Sequence, residues 1–192
     1  MKRKYFLKFI RNSNTLHALR SGQHFFEETF LNQTVTYFYK DRFGQDRAVA
    51  IKFQENQFMH LAGLSYARGA KSFWNDLKKC HLTFSDLTPV HGNINVLKNK
   101  IKMMSFLSET VSQNCRVVYQ YHTYHLLADY LIKSDKETVA IATRAFDGSD
   151  QIMESLLDVS AAERNGFPIK QGFAVTRIIF LNNKTGRIKI VE

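Results

Sequence analysis

Cysteine and proline are both scarce in this chain, with two residues of each among 192. The N-terminus is basic and lacks the apolar region of a signal peptide. With only two cysteines, Cys80 and Cys115, this predicts a reducing, cytoplasmic location and no disulfide framework. Two prolines and nine glycines are too few for a low-complexity or disordered chain. No apolar run approaches the length of a membrane span, so we expect no membrane partner.

Acidic residues are also in the minority, because 17 Asp and Glu face 27 Lys and Arg, giving a net charge of +10 and a pI near 9.6. This excess favours a polyanionic partner and excludes an acidic protein that imitates DNA. The charge is also compatible with solubility alone. A membrane-surface or structural role fits less well, since the cations are scattered and no strongly amphipathic basic helix stands out.

Length and composition favour one domain over residues 1–192, in which residues 1–20 could form a helical appendage. Helical apolar spacing marks the first thirty residues, with breaks expected at Asn12–Asn14 and at Ser21-Gly22. Three further helices are predicted: one that Asn56 caps and that runs to Leu64, one over residues 70–79, and one over residues 94–111.

Strand patterns dominate the rest of the sequence. A hairpin is predicted from residues 34–39 and 48–53, and a closing hairpin from residues 173–181 and 186–191. Single strands are expected at residues 116–121, 126–132 and 138–144, whereas residues 149–160 fit either a short helix or a strand. Helices early and strands late indicate an α+β fold, with N-terminal helices packed on a mainly antiparallel β-sheet.

The densest group of chemically useful side chains follows the first hairpin and comprises His60, Tyr66, Arg68 and Lys71. Metal-free RNA cleavage needs a base for the 2′-hydroxyl, an acid for the leaving oxygen and a cation for the phosphorane. Histidine suits proton transfer near neutral pH, tyrosine can donate a proton, and Arg and Lys hold phosphate. The alternative is structural: His60 lies among Phe58, Leu61 and Leu64, as a core histidine would, and the other three could form a solvated loop.

A second group lies on the predicted strands. Thr143 and Arg144 end one strand and Arg177 lies within a later one, so both guanidiniums would face one concave surface if these strands pair. Outward positions on a half-solvated sheet are the alternative. Lys52, near the end of the first hairpin, is a further candidate RNA contact.

Tyrosines interleave with cations in the strand-like stretches, as Tyr37, Tyr39, Tyr119, Tyr121, Tyr124 and Tyr130. Such rings can stack on the bases of single-stranded nucleic acid. They can equally serve core or cross-strand packing.

No cofactor or metal is expected. The cysteines and histidines do not have zinc-ligand spacing, and no nucleotide-binding loop, nucleophile elbow or kinase signature is present in the sequence.

From about Leu19 onward the sequence resembles a phage family within the barnase–EndoU–colicin–RelE (BECR) nuclease superfamily. The most specific match is the stretch from Phe58 to Leu64, which fits the pattern F-x-H-L-x-G-I/L after a strand. Further matches are the Phe25/Phe26 helix, the first hairpin, the helix begun by Lys71–Trp74, the Lys-rich helix over 97–106, the strand 128–132 and the segment Ser155-Leu156-Leu157.

This resemblance implies metal-independent endoribonuclease activity through the 2′-hydroxyl, with His60 as the leading catalytic residue. Tyr66, Lys71, Arg144, Thr143 and Ser155 are the further positions it suggests. It also implies a phage-encoded protein in the cytoplasm of a bacterial host. The alternative function is that of an anti-CRISPR protein, which binds a CRISPR effector and cleaves or traps its guide RNA. The RNA partner could equally be a tRNA, and the oligomeric state stays open.

Overall fold

A computed structural model describes residues 3–122, 127–136, 138–145, 150–160 and 172–192. The helices within these ranges are α1 (Arg3–Ile10), α2 (Ser13–Thr29), α3 (Glu55–Leu61), α4 (Gly69–Lys78) and α5 (Ile94–Met104), with 3-10 turns at Phe84–Asp86 and Leu107–Val111. The strands are β1 (Gln33–Lys40), β2 (Asp46–Lys52), β3 (Leu64–Tyr66), β4 (Leu87–Pro89), β5 (Arg116–His122), β6 (Leu127–Lys133), β7 (Val139–Ala145), β8 (Gln151–Asp158), β9 (Phe173–Asn182) and β10 (Ile188–Val191). The α+β class predicted from the sequence is confirmed.

Eight strands form one sheet in the order β1-β2-β8-β7-β6-β5-β9-β10, and β3 with β4 forms a separate pair. The neighbouring strands pair antiparallel except for β2 and β8, whose parallel pairing covers only Ile51↔Gln151 and Lys52↔Ile152. Because β1 also pairs with β9, seven of the strands follow one another around a closed circuit. Because β2 ends at Lys52, β8 continues beyond Ile152 without β2 beside it, and there α3 and α5 pack against it.

The main core lies between the helices and one face of the sheet. Phe26 of α2 is at its centre, with edge-to-face contacts to Phe30, Phe53, Phe58 and Trp74 at centroid distances of 5.6–6.1 Å. A smaller cluster that includes Val118, Leu131 and Ala142 is separate from it. Phe6 and Ile10 of α1 are buried in the main cluster, so the N-terminal helix shares the core of the rest of the chain.

The break predicted at Asn12–Asn14 is confirmed, because the Asn12 side chain accepts the Asn14 N–H at 2.9 Å and caps α2. The break predicted at Ser21-Gly22 is wrong, and α2 continues through both residues. The reason is packing: α5 crosses so closely that a Cβ on Gly22 would lie 2.8 Å from Met104 Cβ. Gly22 here allows two helices to approach and does not end one.

Three other predictions concern the ends of two helices and the ambiguous segment. The helix that carries His60 begins at Glu55 with Gln54 as its N-cap, so the cap predicted at Asn56 is wrong. The helix predicted over residues 94–111 ends at Met104, where the Ser105 and Phe106 N–H groups bond three residues back and the chain continues as a 3-10 turn. The ambiguous segment is a strand over Gln151–Asp158.

No helix in the described ranges combines the length and the hydropathy needed to cross a bilayer.

We expect Gly22→Val to destabilise the protein, because its side chain would overlap Met104 and such overpacking costs about 1–3 kcal/mol. The measurement is the free energy of unfolding in urea. Gly92→Val is the matched control, since Gly92 has open space around it and should change stability by less than about 0.5 kcal/mol. Equal stability of the two variants would show that α2 and α5 are not packed as closely as described.

Candidate active site

His60 lies in the last turn of α3 with an exposed side chain, although Phe58, Met59 and Leu61 around it are buried. The alternative of a buried core histidine is therefore not what the structure shows. Gly63 follows with a φ of +71°, a left-handed conformation that favours glycine, and its N–H donates to the His60 carbonyl at 2.9 Å. The imidazole is thus presented to solvent at the point where the chain leaves the helix.

Lys100 of α5 lies buried beneath this turn, with 8% of its surface exposed. Its Nζ donates to Ser155 Oγ at 2.7 Å and to the Leu156 carbonyl at 3.3 Å, both on β8. A lysine ammonium has three N–H donors, and the third has no partner among the described residues. Neither contact is a carboxylate, so burial dominates and lowers the pKa of Lys100 to about 8.

The turn after His60 and the buried lysine are in direct contact. A Cβ placed on Gly63 would lie 2.8 Å from Lys100 Cδ, so only glycine lets the turn rest on the lysine stem. Both α3 and α5 pack against β8. The structure therefore gathers His60, Lys100 and Ser155 from two helices and one strand into one region.

Lys100 is the functional candidate that the sequence-based analysis missed. The apolar stripe of its helix runs through Leu97, Ile101 and Met104, and Lys100 lies on that same face, three residues after Leu97 and four before Met104. A lysine on the apolar face of a predicted helix is the sequence feature that could have identified Lys100 as a candidate. Ser155, by contrast, belongs to the positions that the family resemblance suggested.

Tyr66 and Arg68 form a hydrogen-bonded network that joins β3, α4 and the 3-10 turn at Phe84–Asp86. Tyr66 Oη donates to Asp76 Oδ2 at 2.9 Å and accepts the Thr83 N–H at 3.2 Å, and Arg68 contacts the same hydroxyl. Arg68 also pairs with Asp76 at 3.0 Å and with Asp86 at 3.1 Å. Tyr66 is 3% exposed. These groups therefore have structural partners, and two carboxylates compensate the charge of Arg68.

The other cations that were predicted to contact RNA are spread over the surface. Lys71 is exposed at the start of α4, and Lys52 pairs with Asp150 at 2.5 Å. Arg144 is largely exposed, with its Nη1 3.8 Å from Glu154 Oε1. Arg177 stacks over the Phe38 ring at 4.6 Å.

The strands that carry Arg144 and Arg177 do not pair, because β6 and β5 lie between β7 and β9. The condition under which both guanidiniums were expected to face one surface, that these two strands pair, is therefore not met. Thr143 is fully buried, and its hydroxyl contacts Gln151 Oε1 at 3.1 Å and the Tyr130 carbonyl at 3.3 Å. Thr143 thus stabilises the sheet at this point and does not face solvent.

The part of the chain that the structure describes contains no group of three or more His, Cys, Asp or Glu side chains placed to hold a metal ion. Tyr124, one of the predicted stacking rings, lies outside the described residues.

Helices packed on one face of a large, mostly antiparallel sheet define an α+β protein, in which an exposed histidine precedes a turn that rests on a buried lysine. A family model described as phage-Barnase-EndoU-ColicinE5/D-RelE like nuclease4 matches residues 19–183. The chain belongs to this family of BECR-type nucleases, which confirms the resemblance found in the sequence. No curated protein and no solved structure matches it.

We expect Tyr66→Phe to lower the free energy of unfolding by about 1–3 kcal/mol, because it removes the hydrogen bonds of a buried hydroxyl with the Asp76 carboxylate and the Thr83 N–H. Tyr5→Phe, at an exposed tyrosine of α1, is the control and should leave stability unchanged. Denaturant titration measures both. A folded Tyr66→Phe protein of normal stability but without nuclease activity would instead place this hydroxyl in the chemistry.

Lys100→Met should stabilise the protein at neutral pH, because it removes a buried charge that no carboxylate compensates. The folded-state pKa, about 8, is below the usual 10.5, so the unfolded chain holds more protons between these values. The cost of the lysine is thus fully present below pH 8 and disappears as the pH rises to 10.5.

Unfolding measured across this pH range should show the two proteins converging at the alkaline end. Lys102→Met, at an exposed position of the same helix, should show no such convergence. A Lys100→Met protein that is less stable than the wild type at pH 7 would contradict the argument.

Proposed function

We propose that this protein is a metal-independent endoribonuclease that cleaves RNA by attack of the 2′-hydroxyl on the adjacent phosphate. The observation that carries the proposal is the exposed His60 imidazole on a turn that rests on buried Lys100. An imidazole exchanges protons near neutral pH, and an ammonium with one unused donor can bind a phosphate oxygen.

The reaction assigns one role to each group. His60 accepts the proton of the 2′-hydroxyl as the oxygen attacks phosphorus, and the bond from phosphorus to the 5′-oxygen breaks. Lys100 donates to the phosphorane, whose added negative charge it stabilises, while the 5′-oxygen takes up a proton from solvent. Ser155 Oγ holds the Lys100 Nζ in place. The products are a 2′,3′-cyclic phosphate and a 5′-hydroxyl.

Exposed cations around this region would hold the RNA backbone. Lys71 and Arg144 are the candidates that we retain for phosphate contacts, because both side chains reach solvent. Lys52 and Arg177 are further candidates of the same kind, and Lys52 would first have to exchange Asp150 for a phosphate. The net charge of +10 supports a polyanionic substrate.

The test is cleavage of a labelled single-stranded RNA by the purified protein in EDTA, with analysis of the product ends. We expect 2′,3′-cyclic phosphate ends, and no cleavage where the scissile nucleotide is 2′-deoxy. His60→Ala should reduce the rate by a factor of about 10²–10⁴, the usual contribution of a general acid or base. The control is His24→Ala, at an exposed histidine of α2 that pairs with Glu28.

Lys100→Met provides an independent check, since it should lower kcat while the folded protein becomes more stable. Full activity of His60→Ala, or cleavage at a 2′-deoxy nucleotide, would overturn the mechanism. If the protein binds a CRISPR effector tightly and leaves its guide RNA intact, the function is the capture of RNA and not its cleavage.

A further inference from the structure

A cleft of about 730 Å³ lies beside the turn between β1 and β2, away from the His60 region. Its walls come from the hairpin turn and from five strands, β1, β2, β5, β6 and β9. The residues that matter for its chemistry are Tyr39, Arg42, Phe43, Tyr119, Tyr130 and Phe173. None of the residues assigned above to catalysis lines it.

The rings of this cleft are unusually open to solvent. Only Tyr5, Phe43 and Tyr119 are strongly exposed aromatic residues in the described ranges, and two of these three line the cleft, Phe43 at 71% and Tyr119 at 50% exposure. Tyr119 lies 5.3 Å from Tyr130 at an angle of 45°, and Tyr39 stacks on Phe173 below them. Exposed rings gathered in a concave site leave π-faces available to a ligand.

The hairpin turn holds Arg42 and Phe43 in a fixed arrangement. Asp41 Oδ1 accepts the N–H groups of Phe43 and Gln45 at 2.9 and 3.0 Å, and Gly44 has the positive φ that the turn requires. Because the turn is already ordered, binding there costs little conformational entropy.

The charge of the cleft is positive. Arg47 is paired with Asp41 at 3.0 Å, which leaves Arg42 as the excess charge. Its guanidinium lies 4.6 Å from the Phe43 ring centroid and has no ion-pair partner in the described part of the chain. A cation beside aromatic faces matches the combination of phosphate and base in a nucleotide.

Backbone geometry also singles out this cleft. Gln120 has a φ of +53° inside β5, directly after Tyr119, and its side chain donates to Tyr119 Oη at 3.2 Å. Left-handed residues other than glycine are strained, and such strain is concentrated where a ligand site requires a particular side-chain direction.

We propose that this cleft binds an unpaired base of the RNA substrate by stacking on Tyr119 and Phe43, with Arg42 on the neighbouring phosphate. The inference rests on the ribonuclease function proposed above. It names single-stranded RNA as the substrate class, because a paired base has no free face to offer these rings. Stacking alone reads no sequence, so the site predicts a preference for strand state and not for a particular base.

Tyr130 of the cleft lies on β6, two strands away from β8, which carries Ser155. Leu131, the residue after Tyr130, is in register with Ala142, which is in register with Ser155. Two strand spacings amount to roughly 10 Å.

Burial also raises the pKa of Tyr130, with a further contribution from Tyr119, so its hydroxyl stays protonated and able to donate at neutral pH.

The experiment measures binding separately from cleavage. A fluorescein-labelled single-stranded oligonucleotide with 2′-O-methyl riboses, which the proposed chemistry cannot cut, is titrated with the full-length protein and followed by fluorescence anisotropy. Tyr119→Leu removes a ring but keeps an apolar side chain, and should weaken binding roughly 5- to 150-fold. Tyr5→Leu, at the exposed tyrosine outside the cleft, should bind like the wild type.

The dependence of affinity on salt separates the two kinds of contact. Arg42→Gln should reduce the slope of log affinity against log salt by about 0.7, the value for one phosphate contact on a single strand. Tyr119→Leu should leave that slope unchanged. Arg187→Gln, on the exposed turn before β10, is the control for loss of one surface charge.

The outcomes distinguish this inference from the proposed function. Wild-type affinity in both cleft variants, with RNA cleavage intact, overturns the cleft and leaves the nuclease standing. Weakened binding in the cleft variants of a protein that cleaves nothing supports the cleft and removes the nuclease chemistry. Equal affinity for a fully paired duplex, or no oligonucleotide binding by the wild type, overturns the inference as well.

Discussion

The packing around Phe26 is the constraint on which the rest of the structure depends. This ring contacts Phe30 just after α2, Phe58 of α3, Trp74 of α4 and Phe53 just after β2. Phe58 is two residues before His60, so the contact that buries the Phe58 ring also sets the rotation of α3 about its axis. With Phe58, Met59 and Leu61 facing inward, His60 faces solvent. The position of the exposed imidazole thus follows from an aromatic core.

Lys100 makes this core less stable than an apolar residue at the same position would. An apolar side chain of similar length would fill the same space without the desolvation of an ammonium, and α5 already presents Leu97, Ile101 and Met104 on that face. A buried cation that meets only a hydroxyl and a carbonyl is an uncommon arrangement for a purely structural lysine. Groups of this kind cluster at functional sites, where a shifted pKa is useful to the chemistry.

Most of the local structure could be predicted from the sequence, because short-range patterns decide it. The two hairpins, the break at Asn12–Asn14 and the helices around Phe58, Phe73 and Leu97 correspond to apolar periods and turn residues visible in the chain. Distant contacts decided the structure at Gly22 and in residues 149–160, whereas the cap at Gln54 and the helix end at Met104 are local features that the patterns misplaced. Gly22 resembles a helix end in sequence but is a contact point with Met104, and residues 149–160 had no local preference until β8 paired with β7.

By itself, the sequence determined the fold class, the basic charge and the family, since composition, periodicity and the motif around His60 are properties of neighbouring residues. Only the tertiary structure decided which side chains meet. It placed Tyr66 and Arg68 in a network of carboxylates, separated Arg144 from Arg177 by two strands, and brought Lys100 to Ser155 across 55 positions of chain. The physical reason is that these contacts depend on strand order and helix packing, which no local pattern encodes.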